Sequence, residues 1–84
     1  MRGIVWGSSF QIAKNKLKEI EEQYERLIYA NGDMWQAVKA GENARGYKAN
    51  ISYIDRSIPD DLIDTIIKPA TISPPYTAIH YFYP

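Results

Sequence analysis

The hydrophobic pattern begins with a short apolar run at residues 4–6 that stops at small polar residues. Ser8 and Gln11 then have the Ser-x-x-Gln spacing with which a helix start satisfies its own free amides. Farther along, apolar side chains recur at alternating steps of four and three, the period of one helix face. They are Ala13, Leu17, Ile20, Tyr24, Leu27 and Ile28. The pattern therefore predicts a strand followed by a long amphipathic helix.

The pattern changes to shorter apolar runs in the middle of the chain. Residues 34–40 and 50–54 read as two strands, and turn-forming residues at 41–43 end the first of them. The Asn31-Gly32 pair ahead of these runs has two interpretations. Gly32 ends the helix in a left-handed conformation, or Asn31-Gly32 is the two-residue turn of a hairpin.

A second helix is predicted to begin near residues 57–59. Ser57 has a capping side chain, a proline is tolerated in the first turn, and Asp60 and Asp61 suit the positive end of a helix dipole. Pro69 is expected to stop this helix, because its ring removes an amide donor and clashes with the preceding turn. The buried face is expected to consist of Leu62, Ile63, Ile66 and Ile67.

The last stretch, residues 76–83, is aromatic and β-branched and follows a rigid Ser-Pro-Pro linker. It predicts a final strand or an extended arm. The fold class is therefore α/β, a small single domain with the order β-α-β-β-α plus a C-terminal extended segment or strand. We place the α/β domain at residues 1–72 and the proline-led aromatic segment at residues 73–84.

Size and charge limit what such a chain can do. A chain of 84 residues without cysteine has no disulfide and no thiolate zinc site, so a second subunit is a fair expectation. Ten basic and ten acidic residues cancel, which disfavours a nucleic-acid-coating role but leaves a local patch open. No run resembles a signal peptide or reaches the ~20 apolar residues of a membrane span. We expect a cytoplasmic protein without a membrane partner.

Several motifs, taken in order, resemble a portion of the ATPase domain of bacteriophage terminase large subunits. They are a strand-to-helix junction with Gln11 and Ala13, an Asn-Gly turn ahead of a strand, and an Ala-Arg-Gly loop at residues 44–46 ahead of the strand that ends in Asp55. The resemblance covers most of residues 1–69. It implies part of a P-loop ATPase core, in which Asp55 would hold the magnesium ion of a nucleotide.

Three departures from that family matter more than the resemblance. The Gly-x-x-x-x-Gly-Lys-Ser/Thr phosphate loop is absent, Arg56 replaces the carboxylate that should prepare the attacking water, and the nuclease domain has no counterpart in these 84 residues. One carboxylate without a phosphate cradle holds magnesium weakly. We therefore predict that the chain is not an enzyme and has no cofactor, no catalytic residue and no metal ligand.

A phosphate or nucleotide contact is predicted at the Gly46 loop. Arg45, Tyr47 and Lys48 place two cations and an aromatic ring around a flexible backbone, which suits a phosphate or a base. Asp55 is the fourth candidate contact, through the resemblance. A plain connecting loop is the alternative.

Other polar and aromatic residues have simpler explanations. The acids at positions 60, 61 and 64 fit the start of a helix. His80 lacks a serine, cysteine or paired acid at an interpretable spacing, so it favours neither a triad nor zinc. Both tryptophans are expected in the core of the first two strands.

The C-terminal stretch is the main candidate for an interface. Both faces of that strand would be apolar or aromatic, which an edge strand of a small domain cannot easily hide. The alternative is that it completes the protein's own sheet. The predicted partner contacts are Tyr76, Ile79, His80, Tyr81, Phe82 and Tyr83.

These observations lead to three functional hypotheses. The first is a small non-enzymatic phage or prophage protein that binds a protein partner, for example as an inhibitor of a host enzyme or defence complex. The second is a nucleotide or nucleic-acid binding module that uses Arg45 and Lys48. The third is an accessory subunit or relic of the DNA-packaging terminase.

Overall fold

The structure, a computed structural model, describes residues 2–30, 34–71 and 78–84, without the side chains of residues 23–30. Its strands and first helix are β1 (Arg2–Gly7), α1 (Phe10–Ala30), β2 (Met34–Lys39), β3 (Ile51–Asp55) and β4 (Ala78–Phe82), with a 3₁₀ turn at Glu42–Ala44. The second helix, α2, has three consecutive parts: α-helical Asp60–Leu62, a π turn at Ile63–Ile67 and α-helical Lys68–Ala70. The predicted α/β class and element order are confirmed.

The four strands form one parallel sheet in the order β2-β1-β3-β4. Residues 78–82 therefore form a strand of the protein's own sheet, one of the two predicted alternatives. Since α1 runs through Ala30, the hairpin interpretation is wrong, while residues 31–33 lie outside the described residues. The chain leaves β1 toward β2 but returns to the other side for β3, so the carboxyl ends of β1 and β3 mark a topological switch point.

The sheet separates two apolar cores. α2 packs on one face, where Ile4 and Trp6 of β1 contact its isoleucines. α1 packs on the other face, where Val5 contacts Ala13 and Ile20. Because successive residues of a strand point to opposite faces, β1 is buried on both sides, as parallel strands usually are.

Trp35 of β2 needs a glycine beside it. Its ring lies over Gly3, where an added Cβ would be 2.4 Å from the nearest ring atom. Trp6 is completely buried and Trp35 is half-buried against the α1 core, in agreement with the sequence prediction.

A chain of buried hydrogen bonds joins the end of α2 to the sheet. The Trp6 indole donates to Ser52 Oγ at 3.0 Å, and Ser52 Oγ lies 2.6 Å from Thr71 Oγ1. The Thr71 hydroxyl donates to the Ile67 carbonyl at 2.8 Å, so the proton between the two hydroxyls comes from Ser52. Ser52 and Thr71 are 0% and 1% exposed, so neither can exchange its partner for bulk water.

Two sequence predictions about helix caps are wrong. Ser9, rather than Ser8, caps α1, since its Oγ accepts the amide of Ile12 at 3.2 Å. Ser57 does not cap α2, which begins after Pro59 without a side-chain cap. In both cases the serine belongs to a different hydrogen-bond network, which is described below.

The prediction that Pro69 stops the second helix is also wrong. The helix continues through Pro69 to Ala70, and a π turn precedes it, in which the Lys68 amide bonds the Ile63 carbonyl five positions earlier. In a regular α-helix the proline ring clashes with the carbonyl four residues earlier. The wider π turn changes this spacing, so the helix tolerates the proline.

The buried hydroxyl chain can be tested with Thr71→Val, which keeps the shape of the side chain but removes the acceptor of the Ser52 proton. We expect it to lower the free energy of unfolding by about 1–3 kcal/mol, since a buried donor is left unpaired. The double variant Ser52→Ala/Thr71→Val should lose less free energy of unfolding than the two single variants lose together. The measurement is equilibrium urea unfolding.

Thr65→Val is the matched control. The Thr65 hydroxyl also donates to a backbone carbonyl, that of Asp61 at 2.7 Å, but on an exposed face. We expect a change within about 0.5 kcal/mol. If both threonine variants lose the same free energy of unfolding, burial of the hydrogen bonds at Thr71 contributes nothing to stability.

Candidate functional site

Asp55 lies at the switch point, where β3 ends beside the loop that follows β1. The residue is 0% exposed. Its Oδ2 accepts the Ser8 amide at 2.9 Å, while Oδ1 accepts the Ser57 amide at 2.8 Å and the Ser57 hydroxyl at 2.6 Å. The carboxylate therefore links the loop after β1 to the loop after β3.

The local sequence explains this geometry. Asp and Ser at positions 55 and 57 have the spacing of an Asx turn, in which an aspartate oxygen accepts the amide two residues later. The β1 loop comes close because the chain turns tightly at Gly7, where an added Cβ would lie 2.4 Å from the Ser9 carbonyl oxygen. Ser8 and Ser57 are thus the partners that the sequence interpretation missed, and the Asp-x-Ser spacing was the available signal for one of them.

The surroundings of Asp55 decide its charge. Burial raises the pKa of the carboxyl group, but the Ser57 hydroxyl and the amides of Ser8 and Ser57 lower it, and the net pKa lies below the ordinary value of 3.8. The group is therefore ionised at neutral pH. A general base of such low pKa gains little driving force for proton abstraction, so the geometry favours a structural role.

Among the side chains that the structure describes, those of residues 2–22, 34–71 and 78–84, no three histidine, aspartate or glutamate groups converge on a point where an ion could bind. The three aspartates at the start of α2 are exposed, and Asp64 pairs with Lys68 at 3.1 Å.

The structure separates the Gly46 loop from Asp55. Lys48 precedes β3 and Asp55 ends it, so roughly 15 Å of strand lies between them. The Arg45 guanidinium pairs with Glu42 at 3.0 Å, and the Tyr47 ring packs edge-on against Trp6 with 6.1 Å between ring centroids. The four predicted nucleotide contacts therefore do not converge on one site.

The predicted partner contacts divide between core and surface. Phe82 is buried in the α1 core, and Ile79 packs against the α2 core. His80 is exposed and stacks on the Tyr53 ring, with 4.9 Å between centroids. Tyr76 lies outside the described residues.

The two last tyrosines are the most accessible members of this set. Tyr81 is 42% exposed and Tyr83 is 83% exposed. The Arg56 guanidinium lies over the Tyr81 ring, 4.3 Å from its centroid. The side-chain surface at this end of β4 therefore consists of two tyrosines and an arginine.

The backbone of β4 alternates between an inner and an outer edge. The Ala78 amide and the Phe82 carbonyl bond to the β3 side, so residues 78, 80 and 82 direct their peptide groups inward. Ile79 and Tyr81 direct theirs outward. No other described strand lies along that edge, since β4 is the last strand in the order of the sheet.

Comparison with known protein families, curated proteins and solved structures finds no match for this chain. The terminase resemblance therefore stays a prediction. Among the described helices, none combines the length and the apolar character needed to cross a bilayer.

The link at Asp55 can be tested with Asp55→Asn. We expect a loss of about 1–3 kcal/mol in the free energy of unfolding at pH 7, because hydrogen bonds to a charged acceptor are removed. The pKa of Asp55 is lower in the folded protein than in the unfolded chain. The carboxylate therefore adds its full contribution to the free energy of unfolding well above pH 3.8, and this contribution is lost as the pH falls through the folded pKa. The difference between the two proteins should therefore shrink below about pH 4.

Urea unfolding from pH 7 down to pH 3 measures this difference. Glu22→Gln, at an exposed position away from the ends of α1, is the control and should change stability little at any pH. A stability difference that stays constant with pH would argue against a charged Asp55 as the link.

Proposed function

We propose that this chain is a non-enzymatic protein-binding module that receives a strand of its partner along the outer edge of β4. The observation that carries the proposal is the outward direction of the peptide groups of Ile79 and Tyr81, beside which no described strand lies. An extended segment that pairs there gains main-chain hydrogen bonds, as in other cases of strand addition.

The residues of β4 itself carry none of the features that usually protect the outer edge of a sheet. Edge strands commonly carry lysine, proline, inward-pointing charges or a bulge, which discourage pairing with another chain. Ala78–Phe82 contains no lysine, proline or acid, and its pairing with β3 continues without a bulge. The strand is therefore suited to accept another strand.

The side chains beside this edge are of the kinds that anchor interfaces. Tyrosine and arginine are enriched among the residues that contribute most to binding, and tyrosine offers a large contact area at low rotamer cost. Tyr81, Tyr83 and Arg56 supply this surface. If the partner is a second copy of the chain, the outer edge of β4 is the interface of the homo-oligomer.

The resemblance to a phage protein suggests where this chain acts. It supports a small phage or prophage protein in the cytoplasm of a bacterial host. There the protein would inhibit a host enzyme or defence complex by covering part of its surface. Two observations count against ATP hydrolysis. The sequence has no phosphate loop, and Asp55 already accepts hydrogen bonds from two serines.

The edge can be blocked with Tyr81→Pro. The outward amide of Tyr81 is not used by β3, so proline removes a donor for the partner and leaves the internal ladder intact. We expect recovery of the partner from host lysate by the tagged protein to fall at least about tenfold, the loss that corresponds to ~1.4 kcal/mol. Tyr81→Ala is the matched control, because it removes the same ring but keeps the amide.

Affinity capture with quantitative mass spectrometry compares the three proteins. A partner that Tyr81→Pro recovers less well than Tyr81→Ala supports strand addition, since both variants lack the ring and only proline lacks the amide. Equal recovery by all three would remove the edge from the proposal, and no stoichiometric partner for the folded wild-type protein would remove the binding function.

Asp55 supports a second candidate function, an accessory or relic of the packaging terminase. Its position at the carboxyl end of a parallel strand, opposite the β1 loop, is the position that the resemblance requires. This function predicts a complex with the portal or small terminase protein of the same phage. Size-exclusion chromatography of each mixture tests it, and separate elution from both proteins would count against it.

A further inference from the structure

A cavity lies at the amino ends of β1 and β2, on the side of the sheet where α2 packs. Its volume is about 410 Å³, and residues 46–48 line it together with the two strands. Ile4 of β1 packs in the α2 core and pairs in register with Gln36. Because residues two apart in a strand point to the same side of a sheet, Arg2 and Met34 share this face. We call this space the amino-end cavity.

The charged side chains at the amino-end cavity are positive. Arg2 and Lys48 line it, and none of the described residues that line it is an acid. Neither cation forms an ion pair with a described residue, whereas Arg45, in the same loop, pairs with Glu42. Since the ten basic and ten acidic residues of the chain cancel, two unpaired cations beside one cavity indicate a local site for an anion.

The backbone anchors the segments that carry the two cations. The Arg2 amide donates to Asn50 Oδ1 at 2.8 Å, and the Asn50 amide donates back to the Arg2 carbonyl at 2.8 Å. The Ala49 amide, next to Lys48, donates to the Ala70 carbonyl of α2 at 2.8 Å. Both segments are therefore fixed before a ligand binds, which lowers the entropic cost of binding.

The other side chains of the cavity suit the uncharged part of a ligand. The Tyr47 ring is 38% exposed and packs edge-on against the buried Trp6 ring. Met34 is exposed beside it in the lining. The exposed Gln36 amide has no hydrogen-bond partner among the described residues, so it can both donate and accept. An aromatic ring, a thioether and an amide thus share the cavity with the two cations.

We propose that the amino-end cavity binds a phosphate monoester joined to a flat ring, the chemistry of a nucleoside monophosphate. A phosphate monoester carries a charge of about −1.5 to −2 at pH 7, which two cations match better than they match a single carboxylate. A guanidinium binds two phosphate oxygens at once, and an ammonium adds a point charge. The ring lies against Tyr47 and Met34, and the Gln36 amide bonds its polar edge.

This site differs from the nucleotide contact predicted from the sequence. It includes Tyr47 and Lys48, but it lies at the opposite end of β3 from Asp55. It is also separate from the proposed strand addition, because β3 lies between the strands of this cavity and β4. The two proposals can therefore fail independently.

An NMR titration of the isotope-labelled full chain with AMP or CMP tests the site. We expect saturable shifts of the backbone amides at residues 2–4, 34–36 and 46–48, with a Kd of about 1 mM or below. Ribose phosphate lacks the base and adenosine lacks the phosphate. Each should bind at least about tenfold more weakly than AMP, because each makes only part of the contacts.

Two variants, Arg2→Gln and Lys48→Gln, remove one charge of the cavity and keep a long polar side chain. We expect each to weaken AMP binding at least about tenfold, because one charge-assisted contact to the phosphate is lost. Lys18→Gln, at an exposed position of α1, is the matched control and should leave the Kd within about twofold. The same spectra show whether each variant is folded.

Several results would overturn the inference. They are no saturable shift with either nucleotide, shifts centred on residues 55–57, equal affinity for AMP and ribose phosphate, and equal losses in all three variants. The last result would mean that the nucleotide responds only to the total charge of the protein. If the nucleotides fail to bind but the β4 edge captures a partner, strand addition stands and the amino-end site is wrong.

Discussion

The buried carboxylate of Asp55 is the interaction on which the geometry of this fold depends. It accepts amides from the loop after β1 and from the loop after β3, so it fixes the two central strands to each other at their carboxyl ends. The side of the sheet to which the chain adds strands changes between these two, and β2 and β4 lie on either side of them. A charge buried this deeply is tolerated because three donors surround it.

Periodicity and turn chemistry predicted most elements, because these signals are local. The four-three spacing in α1 and the short apolar runs of β1 and β3 are properties of neighbouring residues. The Ser8 cap assignment failed for the opposite reason, since the Ser8 amide donates to Asp55, which is distant in the chain. The Ser57 assignment failed although its signal is local, because Ser57 lies two residues after Asp55 and donates to it. Pro69 is similar to Ser8, since the π turn that accommodates it forms in the packed helix.

The candidate sites were predictable in position but not in geometry. An aromatic C-terminal stretch indicated an interface, yet which residues face outward depends on the register with β3, and this register buries Phe82 and exposes Tyr81. The Gly46 loop and Asp55 were predicted as contacts for the same phosphate or nucleotide, Asp55 through the terminase resemblance. Their separation follows from the length of β3, since one precedes the strand and the other ends it.

The parallel sheet has a kinetic consequence. Each described pair of neighbouring strands is joined by a long connection, and even β3 and β4 are separated by all of α2. Contacts between distant parts of a chain form slowly. Because β4 needs β3 as its template, its outer edge exists only after these two strands have paired. A partner that recognises this edge therefore binds only chains in which β3 and β4 have paired.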